Sequence, residues 1–427
     1  MRLFQDMLAS LVQNTYRFGI FSQTHMPTLS SEPTAAIEAV MSATGDVSSL
    51  IYAENLLTVL ENLSDTDLAE VFTDILTARD IDAAALAEAA KLYQRDKSAE
   101  QLTKIAHLAE PEWLNLFRRL NATKGGTVRL VTLRARLLSL TKRHPDLKRI
   151  DSGLVALMRH WFNPGFLVLQ PIDWSTPANI LEKIIAYEAV HEIRSWDELR
   201  ARLAPDDRRC FAFFHPAMPE EPLIFVEVAL TNNIPSKIDE LLTLERSDSN
   251  ADDAEVAVFY SISNCQVGLA GISFGNFLIK RVAQELKQEL ENLRQFVTLS
   301  PVPGLRRWLE TNEPSTLRLL TNATDLDNND FQKQMAQTTQ RYFCESSRSD
   351  GMPNDPVARF HIGNGAILEQ MNHLGDTTEK GMEQSFGLMV NYRYDLDIVE
   401  KNHEDFIQTK AVSVSPSLKA LWKAAEN

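Results

Sequence analysis

Cysteine is scarce: Cys210, Cys265 and Cys344 are three, odd in number and widely separated. That excludes a disulfide framework and suits a reducing compartment. The nine histidines include no HxxxH or HxH spacing with acidic companions, so the usual zinc and iron patterns are missing. No window of about 20 uncharged apolar residues could cross a membrane as a helix. The stretch MRLFQDMLASLVQNTYRF lacks the unbroken apolar core and small-residue cleavage site of a secretory signal, since Asp6 interrupts it. The final Ala-Ala-Glu-Asn is not a peroxisomal Ser-Lys-Leu ending. Cytoplasm is the default these absences leave.

Positive charge is in deficit too. The 43 Lys and Arg residues face 58 Asp and Glu, a net charge of −15. This argues against nucleic acid or an anionic membrane as the main partner, and a polyanionic ligand would need its cations gathered locally. No fixed-period repeat is present, which disfavours a solenoid. The length of 427 residues fits two or three domains with ample cores.

The periodicity of residues 1–160 predicts successive amphipathic helices over 3–16, 34–42, 48–63, 65–77, 82–93, 99–109, 112–120 and 127–141, with no strand signal between them. Ser64-Asp-Thr-Asp and Asp80-Ile-Asp supply N-cap chemistry, and Lys124-Gly-Gly is a break. Such a domain, 1–160, buries its faces internally or against a second copy. A boundary near Trp161 opens a region punctuated by Pro171, Pro177 and Pro205. One helix is predicted there after Ser175-Thr-Pro-Ala, with Ile180, Leu181, Ile184 and Ile185 on one face. Residues 166–169, 211–215, 223–230, 256–262 and 296–299 read as strands. The expected architecture of 161–427 is therefore a mixed sheet flanked by helices, an α+β catalytic domain.

The run 255–303 is the most informative: a strand, a loop with Gly268, Gly271 and Gly275, a helix whose apolar face is Leu278, Ile279, Val282, Leu286, Leu290 and Leu293, then another strand. Ala270, Gly271, Ile272, Ser273, Phe274, Gly275 and Asn276 fall at that helix's N-terminus, where free N–H groups and the dipole suit a phosphate. Lys280 and Arg281 oppose the dipole, so a bound polyanion would account for them; an Arg281–Glu285 pair is the plainer reading. Ser300 stands at the next strand's end, its backbone biased to the extended region by Pro301. His361, in FHIGNGA, follows an apolar segment and precedes a glycine turn, and its near-neutral titration suits a general acid. On residues alone, a turn-capping Ser300 and a satisfied core His361 remain open. His215 and Glu227 could form an acid–base pair, but a histidine at a strand end before proline reads as structural, and His191 reads as helix-terminal. The Asp325, Asp327 and Asp330 segment lacks the glycine and glutamate of a calcium loop.

The blocks CFAFFHPAMPEEPLIFVEVAL, FYSIS, FLIKRV, LSPVPG, NDPVARFHIGNGA and NYRY, spread in one order over much of the chain, resemble those of malonyl-coenzyme A decarboxylases. The resemblance implies an N-terminal all-helical domain, a homo-dimer or homo-tetramer, and a C-terminal acetyltransferase-like (GNAT) catalytic domain. It places the family's catalytic serine and histidine on Ser300 and His361. Ser261 and Tyr394 match polar pocket positions, with core hydrogen bonding as the competing role for both. Where relatives can carry a glutamate in the glycine loop, this chain has Ser273, so no acid comes from that loop. The implied substrate and product are malonyl-CoA and acetyl-CoA, which belong to fatty acid metabolism. No cofactor is needed, because a carboxylate β to a thioester leaves an enolate whose charge the carbonyl accepts. An acyl-CoA acyltransferase with Ser300 as acyl carrier and a non-catalytic malonyl-CoA sensor are the alternatives.

Overall fold

The computed structural model describes residues 29–244, 250–272, 274–323, 325–326 and 328–426; the helix expected over 3–16 lies outside them. The chain divides into two compact units.

The first unit comprises the described residues up to Leu167 together with His215–Pro219 and Gln266–Ile272. Its helices are α1 (Pro33–Ser42), α2 (Asp46–Asn62), α3 (Asp65–Ala78), α4 (Ala83–Arg95), α5 (Ala99–Leu108), α6 (Glu112–Asn121), α7 (Gly126–Leu140) and α8 (Lys148–Trp161). Local chemistry sets their ends. The Ser64 hydroxyl accepts from the Asp67 N–H to start α3, and Asp82 accepts from Ala84 and Ala85 to start α4. Gly125 takes a φ of +69° ahead of α7, a conformation that costs other residues about 1 kcal/mol or more. Apolar residues then recur at three and four residue spacing and are buried: Leu68, Val71, Phe72 and Ile75 on α3, Trp113, Leu116, Phe117 and Leu120 on α6.

The second unit is built on a sheet of eight strands: β1 (Val168–Pro171), β2 (Arg208–Phe214), β3 (Ile224–Thr231), β4 (Val256–Asn264), β5 (Gln295–Thr298), β6 (Ser300–Pro301), β7 (Ile367–Asn372) and β8 (Met389–Arg393). The order is β1-β2-β3-β4-β5-β8-β6, with β7 also paired to β8. Every pairing is antiparallel except β4 with β5. That parallel pair needs a crossover, which α11 (Gly275–Glu289) supplies. Helices α9 (Ala178–Tyr187) and α10 (Trp196–Leu203) bury Ile180, Leu181, Ile184, Leu199 and Leu203 with Cys210, Ala212, Phe214, Phe225 and Cys265. A second cluster joins Val256, Val258, Tyr260, Val297, Leu299 and Met389. Side chains alternate across a strand. Thr298 and Ser300 therefore face away from this second cluster, as Phe259 does, whereas a bulge at Tyr260 returns Ser261, paired with Glu227, to the cluster's face.

Strand ends differ from expectation by a few residues. Residues 164–166 form a 3-10 turn ahead of β1, and the strand expected over 296–299 is β5 followed by the separate β6. Strands β7 and β8 were not legible at all: their polar, asparagine-bearing sequences ILEQMN and MVNYR carry little alternation, and pairing with each other and with β5 and β6 makes them strands.

Gly268 lies against α7 within the first unit: a Cβ there would come within 1.8 Å of the Val131 carbonyl oxygen. The nearly fully buried Arg134 donates to the Gly268 carbonyl at 2.6 Å and pairs with Asp151 at 2.8 Å. Gly268→Ala is expected to destabilise the protein by about 1–3 kcal/mol through this overlap, read as a lower urea midpoint. An unchanged midpoint would show that the turn relaxes freely.

Candidate active site

The site begins where two strands part. Parallel pairing of β4 and β5 runs from Val256–Gln295 to Phe259–Thr298, and the Leu299 N–H still donates to the Phe259 carbonyl at 3.1 Å. Beyond that point Ser300 and Pro301 pair with Val390 and Met389 of β8 instead. Ser261 and Ser300 each lie two residues past the last parallel pair, but a bulge in β4 at Tyr260 keeps Ser261, paired with Glu227, on the opposite face of the sheet from Ser300.

Ser300 is buried, and its hydroxyl donates to Thr298 Oγ1 at 2.9 Å. Its oxygen faces His361 Nε2 at 3.3 Å, and His361 Nδ1 lies 2.8 Å from the Tyr394 hydroxyl. Because Ser300 gives its proton to Thr298, the pattern assigns the imidazole proton to Nε2, with Nδ1 accepting from Tyr394. Both ring nitrogens are then satisfied by neutral partners.

Helix α15 presents the ring. With α12 (Leu305–Asn312), α13 (Pro314–Thr321) and α14 (Asn329–Gln340) before it, α15 (Pro356–Gly363) carries His361 in its last turn. Asp355 caps the start and Pro356 preorganises the first helical position. The Tyr392 ring stacks on the imidazole, centroids 4.6 Å apart and planes inclined by 23°. The Asn364 side chain adjoins the Tyr394 hydroxyl. Asn391 locks β8 to β5 by donating to the Thr298 carbonyl at 2.8 Å.

Burial drives the His361 pKa down to about 3. The near-neutral titration expected from sequence does not hold in the free protein: the ring is enclosed by groups without charge, so its cationic form has no compensation. The helix C-terminus favours a cation there, but desolvation dominates.

Ser261 is equally buried but is engaged elsewhere. Its hydroxyl donates to the Glu188 carboxylate at 2.7–2.8 Å, as Ser263 does at 3.1 Å. The backbone N–H groups of Val190 and His191 also donate to Glu188, at 2.9 and 2.7 Å. Glu188 follows α9 directly, and nothing in YEAVHEIRSW marks it: only the fold brings it to β4. Burial pushes the neighbouring His191 down to about 4. His215 is structural, between the Trp161 carbonyl and the Ala217 N–H. Glu227 is structural as well, in a buried ion pair with Arg202 at 2.9 Å.

Of the glycine loop, Ala270, Gly271 and Ile272 belong to the first unit, while Phe274, Gly275 and Asn276 lead into α11 in the second; Ser273 lies outside the described residues. Gly271 has a φ of +82° and open space where a Cβ would stand. Phe274, which precedes α11, supplies no side-chain cap. The cations near it are locally paired, Arg281 with Glu285 at 3.0 Å and Lys280 with Glu400 at 2.7 Å. The expected Arg281–Glu285 pair is thus present, while the partner of Lys280 comes from a distant helix.

The sequence matches the family models described as malonyl-CoA decarboxylase C-terminal domain over residues 165–427 and N-terminal domain over residues 80–162. It is 35% identical over 353 residues to a protein of Anser anser anser named malonyl-CoA decarboxylase, mitochondrial, covering 73% of this chain and 69% of the relative. It is 33% identical to the protein of that name in Rattus norvegicus, covering 73% of this chain and 71% of that one. Among solved structures, the malonyl-CoA decarboxylase of Rhodopseudomonas palustris shares 45% identity with a TM-score of 0.86, covering 92% of this chain and 100% of the other. That of Agrobacterium vitis shares 46% identity, also at 0.86, covering 91% and 98%.

The depressed histidine pKa values fix the sign of a pH effect. An unfolded chain takes up protons near pH 6.5, whereas folded His361 takes one up only near pH 3. The unfolded state therefore binds more protons across that window, and stability decreases as the pH is lowered. His361 alone is expected to remove about 2 kcal/mol between pH 8 and pH 5. Denaturant midpoints of the wild type and of His361→Gln over this range test it; parallel slopes would refute the assignment.

Proposed function

The chain belongs to the malonyl-CoA decarboxylase family, and on that premise we propose that it converts malonyl-CoA to acetyl-CoA and carbon dioxide at Ser300 and His361. The observation that carries this reading is the buried Ser300–His361–Tyr394 chain of hydrogen bonds beside the parting strands.

The chemistry asks little of the protein beyond placement. Breaking the bond between the α-carbon and the carboxylate leaves its electron pair on the thioester enolate, and carbon dioxide departs. A proton must then reach the α-carbon. Ser300 orients the malonyl carboxylate out of the carbonyl plane, and the Nε2–H of His361 lies on the same side to meet developing negative charge. In the free protein that imidazole is neutral. An anionic substrate entering the dry pocket supplies the counter-charge that burial withholds, so proton uptake accompanies binding and the imidazolium becomes the proton donor. Tyr394 keeps the ring in register, and Ser261, held by Glu188 on the other face of the sheet, takes the core hydrogen-bonding role.

Ala270, Gly271, Ile272, Ser273, Phe274, Gly275 and Asn276 take the pyrophosphate and pantetheine in this reading. The support is the open, positive-φ turn at Gly271. The glycine-led crossover between two parallel strands is also what an acetyltransferase-like catalytic domain, 161–427, would use. The helical domain, 1–160, would serve assembly into a homo-dimer or homo-tetramer: α5 buries none of its residues within its own chain, and its Leu102 is half exposed.

Among the described residues no helix is long and apolar enough to cross a membrane. Cytoplasm remains our placement, on the three free cysteines; the Anser and Rattus relatives carry "mitochondrial" in their names.

Mass spectrometry of the products from purified protein and malonyl-CoA tests the reaction, with and without an amine acceptor. Acetyl-CoA is expected in both cases. Acyl transfer to the amine would favour a transferase, and unchanged malonyl-CoA a sensor. Ser300→Ala and His361→Asn should each lower kcat by about 10²–10⁴-fold. Tyr394→Phe, which leaves Nδ1 without its donor, should cost about tenfold. Full activity in His361→Asn would remove the proton-donor assignment.

A further inference from the structure

Asp355 is almost fully buried, and its two carboxylate oxygens do different things. Oδ1 accepts from the Val357 and Ala358 N–H groups at 2.8 and 3.0 Å, which is ordinary N-capping of α15. Oδ2 does not touch the helix. It accepts from the Gly304 N–H at 3.2 Å and from the Tyr342 hydroxyl at 3.1 Å.

Gly304 ends the segment Ser300-Pro-Val-Pro-Gly, and α15 carries His361 in its last turn. We propose that Asp355 is a positioning residue that sets the Ser300–His361 separation by tying the end of the Ser300 segment to the start of the His361 helix. This rests on the reading of Ser300 and His361 given above.

The two arms meeting at the carboxylate are short and stiff. One runs from Ser300 to Gly304 and contains Pro301 and Pro303, which fix two of its φ angles. The other is a helical rise of six residues from Asp355 to His361, about 9 Å. The 3.3 Å contact between Ser300 and His361 closes the far end, so a displacement at Asp355 is carried to the reacting groups. The close approach is built in: a Cβ on Gly304 would lie 2.3 Å from the Tyr342 hydroxyl and 3.2 Å from Asp355 Oδ2.

A cap alone would need only Oδ1, and an asparagine or serine would serve as well. Instead a full carboxylate is buried against four neutral donors, a costly choice unless both oxygens are used. Desolvation raises the carboxyl pKa while those hydrogen bonds oppose the rise.

The test compares Asp355→Asn and Asp355→Ser with wild type. Both retain an oxygen for the Val357 and Ala358 N–H groups. Asparagine turns an amide N–H toward the Gly304 N–H, and serine offers that group nothing. The readouts are kcat and KM for malonyl-CoA, the folded fraction at assay temperature, and the imidazole nitrogen signals of His361 in ¹⁵N-histidine NMR, assigned by their loss in His361→Asn. The expected result is a kcat lower by about ten- to a hundredfold, KM within about twofold, an intact fold and shifted His361 signals. Should both variants fail to fold, Tyr342→Phe removes one donor to Oδ2 and leaves the cap, with an expected kcat loss of about two- to tenfold. Wild-type kcat with unmoved His361 signals in a folded variant would overturn the proposal, as would a kcat loss fully matched by the unfolded fraction. Ser300→Ala and His361→Asn run in parallel keep the two ideas apart. If they abolish turnover while Asp355→Asn changes neither kcat nor the signals, only the positioning role falls. If they leave turnover intact while Asp355→Asn moves the signals, the reading of the serine and histidine falls and the mechanical link stands.

Discussion

Strands β4 and β5 share parallel hydrogen bonds only as far as Phe259 and Thr298, and the site depends on that early divergence. Past it, each strand must find partners elsewhere, because an unpaired buried backbone group costs about as much as a lost hydrogen bond. Ser300 and Pro301 find β8, which brings Tyr392 and Tyr394 along. β4 continues on β3, where Ser261 meets Glu188. Both strands thus stay hydrogen-bonded past the point where they part.

A second constraint is electrical. His361 is enclosed by hydroxyls, aromatic rings and a helix end, with both ring nitrogens hydrogen-bonded to neutral oxygens. Such a pocket holds the imidazole neutral and correctly turned, and it leaves a positive charge there unstable until an anion arrives. The same dryness that lowers the histidine's basicity strengthens any interaction with a developing enolate. Ground-state discomfort and transition-state stabilisation therefore share one cause, the exclusion of water.

Part of the chemistry around the glycine loop serves local architecture. Gly268 is a glycine because α7 leaves no room for a Cβ, and Arg134 holds that contact from the same unit. Lys280 and Arg281 answer to glutamates of their own unit. The feature still suited to an anion is the backbone freedom at Gly271.

The sequence by itself determined the helical first half, the mixed-sheet second half and the family. Caps such as Ser64 and Asp82, apolar spacing of three and four, and the motifs LSPVPG and FHIGNGA are local signals, written within a few residues of where they act. Ser300 and His361 could be named from those motifs, but their contact could not, since 61 residues separate them. Tertiary structure alone decided that Ser261 belongs to Glu188, that β7 and β8 are strands, and that the imidazole loses its near-neutral titration. Each of these depends on what surrounds a group in space, on burial and on partners from distant segments. Desolvation and hydrogen-bond satisfaction are properties of the packed neighbourhood, and periodicity along the chain carries no record of them.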